Sequence, residues 1–238
     1  VINPDGGGSV DLARQRRQLL RDGLGVNVAQ LVPHGSVRRA ILGAEDRAPS
    51  AAEMEQMRGL VRRGMEEGAY GLSSGTFYVP GSYSHPDEIV DLAKIVATFG
   101  GTYTSHIRDE SDYSVGLVAA VEEVIDVARR AGLPGVVTHV KALGPRVWGF
   151  GTVITQRIEA AREEGVEVYT DQYPYPASAT GLSASLLPRW SQAGGADSLM
   201  ARFDRPGTMA DIRSAMVENL ARRGGADRIQ FRRVRFDE

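Results

Sequence analysis

Successive strand–helix units built around a parallel sheet are what this 238-residue sequence predicts, on three observations. Short apolar, β-branched runs alternate with longer segments of helical period. The runs starting at residues 69, 102, 135 and 166 lie 33, 33 and 31 residues apart, which is the size of one strand, its crossover and a helix. Gly100-Gly101 and Gly132-Leu133-Pro134-Gly135 fall where a helix should stop and the next strand begin.

Taken in order, strands are expected at 25–32, 69–74, 102–107, 135–140, 166–172 and 228–234. Between them, residues 53–67 repeat Met54, Met57, Leu60, Val61 and Met65 at spacings of three and four, giving one apolar helical face. Residues 86–99 place Ile89, Val90, Leu92, Ala93 and Val96 in the same way, and Ser84 or His85 before Pro86-Asp87-Glu88 is a helix start. Helices over 115–131 and 153–164 complete the set. No Pro/Ser-rich linker or charge block divides residues 1–238, so one α/β domain is expected.

Composition narrows the function. The chain has 28 Lys and Arg against 30 Asp and Glu, a formal charge of −2, which argues against a nucleic-acid partner because a phosphate backbone is met by a cationic surplus. Cysteine is absent, which removes disulfides, thiolate metal ligands and cysteine nucleophiles and fits a cytoplasmic location. No apolar run approaches the ~20 residues of a membrane helix, so no membrane partner is expected.

An open doubly wound sheet and a (β/α)8 barrel both accommodate this pattern. No strand is followed by the glycine-rich phosphate loop of a nucleotide fold, and what decides between the two is where the chemistry lies. His106, in Thr104-Ser105-His106-Ile107-Arg108-Asp109-Glu110, and His139, in Thr138-His139-Val140-Lys141, end consecutive predicted strands at equivalent positions. At the carboxyl mouth of a parallel barrel two such imidazoles converge, and two imidazoles are half of a zinc site. A strand-end histidine taken alone is more often a hydrogen-bonded structural residue; the matched pair favours shared function.

Lys141 projects to the same side as His139 and can bind an anionic substrate group, or be an ordinary solvated lysine. Arg108 can clamp a carboxylate, and a carboxylate of Asp109 or Glu110 can orient an imidazole; a self-paired loop cluster is the alternative. Two X-Pro units in Asp171-Gln172-Tyr173-Pro174-Tyr175-Pro176 hold the backbone extended and present Tyr173, whose hydroxyl can donate to a developing oxyanion. The hydroxyl-rich segment 177–185, with Ser178 and Thr180, suits a substrate-lining loop. Gly71-Leu72-Ser73-Ser74-Gly75 lets a ligand approach the backbone but is not a nucleophile elbow. His34 follows the first strand and is expected near the same mouth.

Together with Gly71-Leu72-Ser73-Ser74-Gly75-Thr76-Phe77-Tyr78, these motifs resemble the N-acyl-D-amino-acid deacylases (D-aminoacylases) of the amidohydrolase superfamily, from about residue 30 to about 190, with a weaker echo at 222–229. The resemblance implies a partial TIM-type (β/α)8 barrel of the metal-dependent hydrolase kind, lacking its first and last strands. It implies zinc on His106 and His139, contacts from Lys141 and Tyr173 to the carboxylate or scissile amide, and an N-acyl amino acid as substrate. The family's strand-one His-x-His, its zinc-site cysteine and its strand-eight aspartate have no counterparts, and a position that often holds serine is Ala179. With two imidazoles alone, weak metal binding and slow or no turnover are expected of the isolated chain. The rival readings are a non-metal barrel lyase or isomerase using a histidine and Lys141, and a catalytically inactive barrel segment.

Overall fold

The computed structural model describes residues 1–21 and 23–232. Five parallel strands run in the order β1 (Val32–Pro33), β2 (Gly71–Gly75), β3 (Thr102–His106), β4 (Gly135–Val137) and β5 (Val168–Thr170), each beside the next in sequence. A doubly wound sheet reverses its strand order partway; this one does not, and it follows the succession of barrel staves. Register places Gly75 opposite His106 and Ser105 opposite Val137.

Helices fill the crossovers. After α1 (Leu12–Arg21) come α2 (His34–Leu42), α3 (Ala51–Glu66), α4 (Pro86–Ala97), α5 (Leu117–Ala131) and α6 (Gly151–Glu163), each laying its apolar stripe on the sheet. Helix α3 starts at a full capping box, with the Ser50 hydroxyl accepting from Glu53 N and the Glu53 carboxylate accepting from Ser50 N. The His85 side chain caps α4, as its place before Pro86 suggests. Gly64 lets α3 lie close on β1, since a Cβ there would come within 2.6 Å of Val32 Cγ2. Three further helices, α7 (Leu182–Leu186), α8 (Ala196–Phe203) and α9 (Pro206–Arg222), follow the last strand. None of the helices in the described residues is long and apolar enough to cross a membrane.

Two expected strands are corrected. The run 25–32 contributes only its last residue to β1, and Val26 is 74% exposed: its apolar residues have no neighbouring strand except through the single bridge between Ile2 and Gln30. Residues 226–228 form a 3-10 turn rather than strand, residues 229–232 are irregular, and 233–234 lie outside the described residues. The strands expected at 135–140 and 166–172 stop early, at Val137 and Thr170, because the chain turns into the site there.

His34 does not face the mouth. It opens α2, fully buried, with Nε2 2.8 Å from Glu88 Oε1; Arg38, also fully buried, donates to Glu88 Oε2. This triad ties α2 to α4. Burial works against the charge of Glu88, but the hydrogen bond to His34 and the Arg38 guanidinium outweigh it and hold the carboxyl below the usual glutamate range. Replacing Glu88 by Gln strands a buried guanidinium, so Glu88→Gln is expected to cost about 3 kcal/mol, or about 6–12 °C in Tm. Because the folded-state pKa is depressed, the contribution is fully present above the ordinary glutamate range and is lost as pH falls from there through the lower folded-state value. Denaturant titrations between neutral and acid pH should therefore show a steeper loss for the wild type than for the variant; equal slopes would contradict this account.

Candidate metal centre

Three segments meet at the carboxyl end of β2–β4. His106 is the last residue of β3 and His139 lies two residues beyond β4. Their rings face each other with centroids 4.6 Å apart, and His106 Nδ1 lies 2.9 Å from His139 Nε2. The expectation that the two rings share one point is thus met in space, although His139 is not in the strand. Its φ is 41°, and its backbone N–H donates to Asp171 Oδ1 at 2.5 Å.

The third group was not anticipated. The 3-10 turn Pro4–Gly6 lies across the end of β2 and delivers Asp5, whose carboxylate is 3.5 Å from His139 Nε2. One ligand atom from each of Asp5, His106 and His139 lies within 4.8 Å of the others. The Gly71–Gly75 segment is open, as its composition suggests, but what approaches it is this turn. A Cβ on Gly75 would sit 2.0 Å from Asp5 O, and one on Gly6 2.5 Å from Gly75 N. Ser73 Oγ locks the turn by donating to Asn3 O at 2.6 Å and accepting from Gly6 N at 3.3 Å. Among the described residues, the non-glycine positions with positive φ are Asn3, Asp5 and His139, so they fall in the N-terminal turn and at the second imidazole of the cluster. The Gly6-Gly7-Gly8 run was the available signal for a close approach; the partner was not readable.

Glu110 lies beneath the pair, 3.4 Å from His139 Nδ1 and 3.8 Å from His106 Nε2, and accepts from Lys141 Nζ. Burial opposes its charge, yet the hydrogen bond to His139 and the neighbouring cations bring it down to about 2. Burial pushes His106 down to about 4, keeping its imidazole neutral. Burial also opposes charge on His139, but Asp5 and Glu110 overcome it and lift the ring to about 9. The two carboxylates thus create a field that demands positive charge beside these rings, which a proton or a metal ion can supply.

A cavity of about 320 Å3 opens over this cluster. Tyr173, Ser178, Ala179 and Thr180 line it, together with Lys141, whose Nζ is also 2.8 Å from His139 Nδ1. Tyr78 lines it too, its ring 4.6 Å from that of His106 and its hydroxyl 3.3 Å from Thr180 Oγ1, a site residue that the motif Gly75-Thr76-Phe77-Tyr78 does not by itself reveal. Arg108 is a correction. Its guanidinium donates to Glu123 at 2.8 Å and to the carbonyls of Ser82 and Ser84, both at 3.0 Å, so it points away from the cavity and braces the loop after β3. Asp109 likewise takes no part in orienting an imidazole: fully buried, it accepts from the backbone N–H groups of Ser111, Ser114 and Gly116.

No protein-family model matches the chain. Over 157 residues, 66% of its length, it is 40% identical to N-acyl-D-glutamate deacylase of Alcaligenes xylosoxydans xylosoxydans, covering 32% of that protein. The solved D-aminoacylase that defines a novel subset of amidohydrolases is similar at TM-score 0.59 and 33% identity, over 63% of this chain and 31% of that one. N-acyl-D-glutamate deacylase from Bordetella bronchiseptica, complexed with zinc and a phosphonate mimic of the tetrahedral intermediate, is similar at TM-score 0.63 and 35% identity, over 83% and 42%. The chain spans about a third of the length of the curated relatives it matches. Its sheet is the matching part of a TIM-type amidohydrolase barrel.

Because Asp109 accepts from three backbone N–H groups of the loop that carries Glu110, Asp109→Ala should cost about 3 kcal/mol by leaving buried backbone donors without an acceptor. Asp109→Asn, which keeps one acceptor oxygen, should cost less. Thermal unfolding checks both, and equal stability of the Ala variant and the wild type would refute the role.

Proposed function

From the premise that this chain is a homologue of the N-acyl-D-amino-acid deacylases, we propose that the protein hydrolyses the amide bond of N-acyl-D-amino acids with a zinc ion held by Asp5, His106 and His139. One observation carries the metal assignment. Asp5 Oδ1 and His106 Nε2 are buried and have no hydrogen-bond partner among the described residues, while both belong to the three-residue cluster whose ligand atoms converge. Buried polar atoms are normally satisfied, and a buried carboxylate oxygen left without a hydrogen bond beside two imidazoles fits a cation. One carboxylate and two imidazoles are also a donor set of the catalytic zinc kind, with a position left for water. Asp5 thereby supplies the ligand that two histidines alone lacked.

Bound there, zinc would polarise the amide carbonyl and lower the pKa of a coordinated water. The chain's own residues set the substrate against it. Lys141, held in place by Glu110, offers its ammonium to the substrate carboxylate, and the Tyr173 hydroxyl donates beside it. Lys141 Nζ is 5.6 Å from the centre of the Tyr173 ring, so the two present one binding edge. Ser178 and Thr180, farther along the segment that carries Tyr173, line the cavity with hydroxyls. Glu110 keeps Lys141 and His139 oriented, as a carboxylate behind a metal-bound histidine does. The ion pair with Glu110 counts against a Schiff-base lyase, whose lysine works desolvated and without a counter-ion.

Zinc content of the purified, zinc-dialysed chain by plasma mass spectrometry should approach one ion per chain. Asp5→Ala and His139→Ala should each weaken zinc binding by about 100-fold or more, a larger loss than the 10–100-fold typical of residues behind the ligands. Retention of full zinc affinity in both variants would remove the site. Release of free D-amino acid from N-acetyl-D-amino acids by the zinc-loaded protein, abolished by chelation, tests the activity itself.

A further inference from the structure

Among the described residues, no sulfur atom reaches the candidate metal centre. The chain contains no cysteine, and none of its six methionines is among the residues that line the cavity. Three of them, Met54, Met57 and Met65, are packed into the core along α3. What converges is two imidazoles and the carboxylate of Asp5, with the Glu110 carboxylate behind them.

The spacing suits a single ion. His106 Nδ1 and His139 Nε2 are 2.9 Å apart, and Asp5 Oδ1 is 3.5 Å from the same Nε2. Donors held at about 2.0–2.1 Å by a tetrahedral ion stand about 3.3 Å from one another, so these separations need little adjustment. Imidazole nitrogen and carboxylate oxygen are borderline and hard ligands, whereas a thiolate selects soft ions. A carboxylate can also bind through one oxygen or two, and the cavity of about 320 Å3 over Asp5 leaves room for water beside it. An ion here can therefore reach the higher coordination that manganese favours. Two histidines and one carboxylate are also the donor types that hold iron(II) in non-haem sites.

We propose that Asp5 sets the metal selectivity of the centre, making it a nitrogen–oxygen site that takes cobalt(II) or manganese(II) in place of zinc and discriminates against the soft cadmium ion. This rests on the metal site proposed above and adds which ions it accepts. The turn Pro4–Gly6 gives the selectivity its rigidity, because the two hydrogen bonds of Ser73 hold the segment that carries the oxygen donor.

The test equilibrates the metal-stripped full chain with zinc, cobalt(II), manganese(II) or cadmium chloride, singly and in zinc–cadmium mixtures. Bound metal is counted by plasma mass spectrometry, so that occupancy is read apart from turnover. The wild type should take up one zinc, cobalt or manganese ion, with zinc the tightest of the three, and should prefer zinc to cadmium by at least about tenfold. Asp5→Cys should bring that preference to about one or reverse it, and its cobalt form should show a thiolate-to-cobalt charge-transfer band that the wild type lacks. Asp5 sits at φ 54°, which asparagine adopts more readily than cysteine. Asp5→Asn is therefore the second variant; it keeps an oxygen donor and should bind zinc more weakly while still preferring it to cadmium. Cadmium held as tightly as zinc by the wild type, zinc uptake without cobalt or manganese uptake, or an unchanged ratio in a folded Asp5→Cys variant would each overturn the selectivity and leave a zinc site standing. The expected selectivity with no release of D-amino acid would sink the deacylase reading and leave the selectivity in place. Uptake of no ion at all would overturn both.

Discussion

The close approach of the N-terminal turn to the end of β2 is the contact on which the centre depends. Backbone meets backbone there with no side chain between, which is possible only because Gly6 and Gly75 lack a Cβ. Ser73 converts the approach into a fixed register through two hydrogen bonds. Without it Asp5 would be an acidic residue at a loop tip; with it, Asp5 faces two imidazoles. The positive φ of Asn3 and Asp5 is sustained by this packing, and the cost of that strain is met by contacts elsewhere in the fold.

Around this point the charges are arranged in layers. Asp5 and Glu110 press positive charge onto His139 from two sides, while burial keeps His106 neutral. Glu110 in turn holds Lys141, so one buried carboxylate serves both the ring and the cation beside it. Further out, Asp109 and Arg108 are spent on the backbone of the loop that carries Glu110 and on Glu123. Adjacent residues of one short charged motif therefore divide between site and scaffold, and side-chain direction separates them: Glu110 turns toward the rings, whereas Arg108 and Asp109 turn into the loop and the helix behind it.

The motifs on neighbouring strands were legible because parallel strands of equal repeat place equivalent positions side by side. His106, His139, Lys141 and Tyr173 follow from that rule and line one cavity. His34 is different, because following a strand is its only cue in the sequence. Its imidazole is turned by the first turn of α2 into a buried partnership with Glu88, and no local spacing signals a contact across 54 residues. Residues 25–32 show the same weakness in the fold. An apolar run states that burial is available, but a strand also needs a neighbour to pair with, and among the described residues the pairing of this run with β2 begins only at Val32, while Val26 is exposed.

By itself the sequence determined the repeating unit, the helices with apolar stripes and caps, and the pair of histidines at matching strand ends, since all of these follow from spacing along the chain. Only the tertiary structure decided that the strands run in unbroken order, that Asp5 completes the cluster across 101 residues from His106, and that Arg108 turns away from the cavity. The physical reason is the same in each case. Periodicity is a property of neighbours in sequence, whereas a ligand set is a property of neighbours in space, fixed by which backbones can touch.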